Sequence, residues 1–291
     1  MTNQANLRRR QLLGLIGAMV VGHPLALGAN LSDRTVALVT PLNRTELIAR
    51  IVDGIVSRLP DALPTIRLTL ATTVPPPADI LVTVGSTRST NESGSTLRVA
   101  IHRKRALHDR CPAICLDPAP ADVLRVISTT LGGSAQRIVI PVVGARDSAM
   151  MKEWEQAADS HKLNTRVILI GDHEDAVQKL RSTVIYGDVV VLADPDLVRV
   201  GYANLMIMLY NAGAIPVGCI QGSDAAGALM SIYTSWADIV DRSLLALTSI
   251  SRGDDVPHLQ PTPVSWSINA AVANRVGWRV DGALTGRSQP E

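Results

Sequence analysis

The chain has 291 residues, a formal net charge of +2, 46% apolar and 19% charged residues, the balance of a globular protein of one large or two ordinary domains. Phenylalanine is absent and aromatics make up only 3%, so the core must be assembled from Val, Ile, Leu and Ala, as in a parallel sheet buried on both faces. The basic surplus belongs to the first residues alone, which removes a nucleic-acid surface from consideration, because that needs Lys and Arg clustered on one face.

The opening segment reads as an export leader. Arg8, Arg9 and Arg10 precede the apolar run Leu12 to Val21, then Pro24 and the small residues Ala26 to Ala29. The run is too short to span a bilayer and has the order of a signal peptide, here 1–29, of the twin-arginine or Sec type. Without its three arginines the formal charge becomes about −1. The one remaining basic cluster, His102 to Arg105, reads as a solvated loop.

From Thr35 the pattern alternates. Thr35–Val39 reads as a buried strand, and Asn43 with Glu46 three residues on forms a capping box for a helix that Pro60 and Pro64 close. Strands follow at 66–70, 80–84, 97–101 and 113–116, then Asp117-Pro-Ala-Pro120 starts a helix through Leu131. The alternation restarts at a strand over 138–143. Asp147 caps a helix over 148–161, a strand spans 165–170, and a short helix covers 176–180. Asp188 to Leu192 and Ile215 to Gly218 are β-branched runs joined by one helix, a β-α-β unit. Ser235 with Asp238 caps a long amphipathic helix, 264–268 reads as a strand, and Asn269 caps a last short helix.

Two such series predict an α/β protein with two Rossmann-like lobes and parallel sheets. The expected boundaries are 30–136 for the first lobe with a returning segment near 225–255, and 137–224 for the second with a C-terminal segment near 256–285. A tail covers 286–291. An oxidising compartment permits one disulfide among Cys111, Cys115 and Cys219. Cys111 and Cys115 sit too far apart to pair across Pro112 in an extended segment. A Cys115–Cys219 bridge is conceivable, and small buried hydrophobes are the preferred reading. No metal-ligand spacing, Walker loop or G-x-S-x-G elbow occurs, so the reading carries no cofactor, no metal and no catalysis.

Asp188 to Val198, Ala214 to Gly218, Ala226-Gly-Ala-Leu-Met-Ser-Ile-Tyr-Thr-Ser-Trp-Ala-Asp-Ile239 and Ser267 to Gly277 together resemble the ABC-transporter substrate-binding proteins of the type I periplasmic fold. The resemblance is to the branch with tryptophan- and tyrosine-binding members; Cys115 through Val143 also fits. Val240 and Asp241 stand where that family often has glycine. The resemblance implies a periplasmic, monomeric Venus-flytrap receptor that closes on a small solute, an amino acid among the candidates, and passes it to an inner-membrane ABC permease. A sensor or accessory adaptor of the same fold is the alternative. Ligands in open α/β sheets sit beyond the carboxyl ends of strands. That position selects Thr40, Gly85, Ser86, Thr87, Arg146, Asp147, Ser148, Asp194, Asp196, Gln221 and Asp224. Asp194 with Asp224 would suit an amino group. Arg146, or the backbone at Ser86 and Thr87, would suit a carboxylate.

Overall fold

The computed structural model describes residues 35–39, 46–63, 67–71, 78–84, 97–102, 113–131, 137–143, 148–171, 173–194, 197, 202–254, 256, 259–260, 262–277 and 285–288. The expected leader, Thr40, Gly85, Ser86, Thr87, Cys111, Arg146, Asp147 and Asp196 lie outside them.

In the first lobe, β1 (Thr35–Val39), β2 (Arg67–Ala71), β3 (Ile80–Val84), β4 (Leu97–His102) and β5 (Ala113–Cys115) form a parallel sheet in the order β2-β1-β3-β4-β5. The two-residue β11 (Leu259–Gln260) joins it beyond β5. The period of two along each strand sorts side chains by face. Val36 and Leu38 on β1, with Ile80, Val82 and Val84 on β3, enter one cluster, whereas Ala37 and Leu81 face the other way. That cluster is closed by α1 (Glu46–Ala62) and α6 (Trp236–Arg252). The two helices approach closely where Gly54 leaves room, since a Cβ there would stand 2.7 Å from Val240 Cγ2. Arg58 on α1 pairs with Asp241 on α6 at 2.5 Å.

The second lobe repeats the order. β6 (Arg137–Val143), β7 (Thr165–Ile170), β8 (Asp188–Leu192), β9 (Ile215–Gly218) and β10 (Met230–Tyr233) run β7-β6-β8-β9-β10 in parallel, and β12 (Val264–Ile268) and β13 (Thr285–Ser288) extend the sheet antiparallel. Here both faces are covered. Ile138, Ile140 and Val142 of β6, with Val189 and Val191 of β8, pack with α2 (Pro120–Leu131) and α3 (Ser148–His161). Val139, Val190 and Leu192 pack on the opposite face with α4 (His173–Thr183) and α5 (Tyr202–Asn211). The short α7 (Ala270–Arg275) places Ala273 in the first of these clusters.

At the amino ends of β6 and β8, the fully buried Asp188 accepts from Arg137 Nε at 3.1 Å, Arg137 Nη2 at 2.6 Å and the Ile185 N–H at 2.8 Å. Arg137 Nη2 also donates to the Thr183 carbonyl. The hydrogen bonds to Asp188 outweigh the opposing effect of burial and raise the guanidinium pKa further.

Several expectations shift in detail. The helix from Pro120 packs into the second-lobe core, so the first crossing falls near Leu116 to Ala119, not at 136. Proline at the first helical position lacks only an N–H that would be unpaired anyway, which suits it to open α2 there. Within the segment expected to return to the first lobe, Met230–Tyr233 instead pairs with β9 and β12 in the second sheet and α6 returns, while β11, in the segment expected to stay with the second lobe, pairs with β5 of the first. Residues 285–288 of the expected end region form an edge strand on β12. Pro60 lies inside the last turn of α1, not beyond it.

Candidate functional site

Among the described residues the chain passes between the sheets at three places: β5 to α2, β10 to α6, and β11 to β12. Two of these crossings also wall a cavity of about 380 Å³ between the lobes. Leu116 and Asp117 come from the first crossing, and Tyr233, Thr234 and Trp236 from the second. Glu46, Leu47 and Arg50 on the opening turns of α1 form the first-lobe side. Cys219 to Gly222, immediately past β9, form the second-lobe side.

The turn after β9 is shaped by its own sequence. Gly218 allows close approach, since a Cβ there would meet Ser223 Cβ at 2.2 Å. Ser223 Oγ donates to the Ile220 carbonyl at 2.8 Å, and the Ala228 N–H returns to the Ser223 carbonyl at 2.9 Å. Asp224 clasps the turn to the sheet. Its carboxylate accepts from Ser231 Oγ on β10 and Ser267 Oγ on β12, each at 2.8 Å, and Asn269 Nδ2 donates to its carbonyl at 2.7 Å. Burial works to raise its pKa, but the Ser267 and Ser231 hydroxyls and nearby backbone N–H groups together hold it below its ordinary value.

The second crossing is fixed by capping. Ser235 is the N-cap of α6, its hydroxyl accepting from the Asp238 N–H at 3.1 Å and donating to Asp238 Oδ2 at 2.6 Å, which satisfies one of the unpaired donors of the first turn. Arg287 on β13 donates to Asp238 Oδ1 and so ties the second-lobe edge strand to a first-lobe helix.

Three expected site residues have described side chains. Gln221 lines the cavity. Asp224 carries the clasp, and Asp194, 6% exposed, accepts from the Val143 N–H at 3.1 Å and braces the ends of β8 and β6. Ser148 opens α3, with its side chain outside the described set. Position relative to strand ends could not show that Asp194 and Asp224 spend their oxygens on neighbouring strands.

Of the lining residues, position alone selected Gln221 and passed over, among others, Asp117, Cys219, Tyr233, Thr234 and Trp236. Cys219 and Cys115 are buried thiols with no disulfide between them. Burial, followed by the negative charge of Asp117, pushes the Cys219 thiol well above its ordinary range. Burial, then the carboxylates of Asp224 and Asp238, raises the Tyr233 phenol. Thr234 is 4% exposed, and its Oγ1 has no hydrogen-bond partner among the described residues. Among the described residues, no three His, Cys, Asp or Glu side chains are grouped to hold a metal ion, and no helix is long and apolar enough to cross a membrane.

No protein-family model matches the sequence, and comparison with curated proteins finds no match. Solved structures do match in fold. One is the ABC domain in complex with L-Trp from Streptococcus pneumonia, with a TM-score of 0.60 at 10% identity over 87% of this chain and 97% of that one. A ligand-free, open substrate binding protein with adhesive properties from Clostridium difficile gives 0.62 at 10% identity over 84% and 95%. The trehalose repressor from Escherichia coli gives 0.53 at 13% over 79% and 99%. The repeated strand order, the paired lobes and these likenesses together establish that the chain has the type I periplasmic-binding-protein fold.

Proposed function

We propose that this chain is an exported solute receptor that captures a small molecule in its interlobe cavity and delivers it to an inner-membrane ABC permease. The observation that carries the reading is the cavity itself, walled by two of the segments that join the lobes. A ligand that binds one lobe arrangement better than another shifts the population toward it, and wall residues at the pivot give such a ligand something to discriminate. Leu47, Leu116, Ile220, Tyr233 and Trp236 offer apolar and aromatic surface, with a few polar groups among them, the usual make-up of a small-molecule site. An amino acid fits that surface, and the pneumococcal neighbour holds L-Trp.

The reading is of a binder rather than a catalyst. It is supported by the cavity chemistry, since burial holds the lining Cys219 as a thiol, its unreactive form. A ligand-reporting sensor or adaptor is the second reading, because the fold also serves a trehalose repressor.

A thermal-shift screen of the mature chain against amino acids, sugars, amines and organic acids tests the receptor reading. A true ligand raises the melting temperature in proportion to the logarithm of its concentration above Kd. A library with no ligand would sink it. Uptake by vesicles carrying the candidate permease then separates transport from sensing.

A further inference from the structure

We propose that Thr234 determines which solutes the cavity accepts: its hydroxyl pairs with a neutral O–H or N–H on the part of the solute that lies along Tyr233 and Trp236. The inference rests on the receptor reading above and adds to it a specificity residue and the kind of group that residue reads.

Thr234 lines the cavity on the second crossing and is 4% exposed, and its Oγ1 is buried with no hydrogen-bond partner among the described residues. A buried hydroxyl left unpaired is unusual in a folded protein and calls for an explanation. The local fold gives it no task. Tyr233, one residue earlier, is held in the ladder opposite Ser265 of β12. Ser235, one residue later, already caps α6. The backbone at Thr234 is thus fixed from both sides while its hydroxyl serves neither element, the condition for a preorganised recognition group. Because Oγ1 makes no bond among the described residues, a turn about Cα–Cβ that brings it to the cavity face breaks none of those described.

The chemistry of the wall selects the group. A hydroxyl oxygen has two lone pairs against one proton, so it has more acceptor than donor capacity to fill. After burial, the carboxylates of Asp224 and Asp238 raise the phenol of the neighbouring Tyr233. The same field favours a solute that turns a hydrogen toward this wall. That hydrogen belongs to a neutral group. One hydroxyl returns one hydrogen bond, less than an ion gives up on leaving water. The charged side chains of the described lining are engaged already: Arg50 Nη2 meets Glu46 Oε1 at 2.6 Å across one turn of α1, and Asp117 has an interaction of its own. Leu116, Ile220, Tyr233 and Trp236 share the wall with Thr234 and suit a flat apolar body carrying the O–H or N–H. An amino acid meets the condition through a side chain with such a group. A body without it would leave the oxygen unpaired and be rejected.

The test uses matched solutes that differ in one group: tyrosine and phenylalanine, tryptophan and 1-methyltryptophan, tryptophol and 3-ethylindole, with 4-aminomethylphenylalanine as a charged counterpart of tyrosine. Calorimetric titration of the mature chain is expected to show the member with the O–H or N–H binding about tenfold more tightly than its partner. Thr234→Val, nearly isosteric, should bring the two level by weakening the first and leaving the second unchanged. Thr234→Ser, which keeps the hydroxyl, should keep the preference. A solute of another class found in the wider screen should likewise bind Thr234→Val about tenfold more weakly than the parent. Without ligand, Thr234→Val should melt no lower than the parent, because a methyl replaces an unpaired buried oxygen; a residue whose hydroxyl served only the fold would show the opposite. Any of four results overturns the inference and leaves the receptor reading standing: pairs that bind equally, a charged counterpart that binds more tightly than tyrosine, affinities that Thr234→Val does not change, or a lower melting temperature in that variant. If no solute of this set or of the wider screen binds, both fall.

Discussion

Replacing Asp188 with alanine should destabilise the second lobe by about 3 kcal/mol, the lower end of the range for removing one partner of a buried ion pair. The carboxylate is fully buried and accepts three hydrogen bonds, two from Arg137 and one from the Ile185 backbone. Its loss leaves the guanidinium with only the Thr183 carbonyl among the partners described, and leaves the Ile185 N–H unanswered. The arginine side chain is 20% exposed, so water can reach part of it, which is why the lower end applies. In a chain of this size about 3 kcal/mol corresponds to a melting temperature lower by roughly 6–12 °C. Urea denaturation followed by circular dichroism should show a lower midpoint at an unchanged slope for the affected transition. A double-mutant cycle with Arg137→Met isolates the pair. The double variant should recover much of the loss, because an apolar side chain no longer needs the carboxylate. An Asp188→Ala variant within 1 kcal/mol of the parent, or a double variant no better than the single one, would refute this account of the β6–β8 junction.

The remaining predictions concern the cavity wall and its supports. The Asp224 pKa is lowered in the folded chain, so the unfolded state binds more protons and stability rises with pH. The contribution is present above the unfolded value near 3.8 and is lost as pH falls through the lower folded value; Asp224→Asn should therefore flatten the acid limb of a melting-temperature profile below about pH 4. Gly54→Ala adds a methyl facing the stiff Val240 side chain and should cost about 1 kcal/mol net of the helix-propensity gain, read as a reduced urea midpoint. Because burial raises the Cys219 thiol, a variant with Cys111 and Cys115 changed to serine should react with iodoacetamide at pH 8 far more slowly than when unfolded in urea, as mass spectrometry will show. Ser235→Ala removes the cap of α6 and should lower stability by about 1 kcal/mol in the same urea assay.

Much of the architecture was legible because it is written in β-branched runs. Val36 to Val39, Ile80 to Val82, Val139 to Val143 and Val189 to Leu192 are apolar on both faces, which only a sheet covered on both sides accommodates. The caps at Ser235 and Asn269 were equally plain, since each side chain meets a backbone donor three residues on. Met230–Tyr233 was harder to recognise: four residues follow a run of alanine and glycine, and their strand identity comes from β9 and β12 on either side. Leu259–Gln260 and Thr285–Ser288 are edge pieces, too short or too polar to announce themselves without a neighbouring strand. The division of α2 from the first lobe turns on which core its apolar stripe enters, and periodicity gives the stripe without naming its partner.

The candidate site was legible by address and not by role. Strand ends drew attention to the turn beyond β9, where Gln221 lines the cavity. They could not separate acids that face inward to other strands from an acid on a linker between lobes. Asp117 reads, in sequence, as part of a proline-flanked helix start. Its place on the cavity wall appears only when the first and second crossings are seen side by side.

The joining segments and the cavity wall are, at Leu116–Asp117 and Tyr233–Trp236, the same stretches of backbone. Torsions that swing one half of the molecule against the other therefore also reshape the chamber, with no chain of intervening residues to carry the message. On the receptor reading proposed above, substitutions there should alter how tightly a guest is held and how far the jaws travel in a single stroke, so that affinity and aperture will resist being tuned apart.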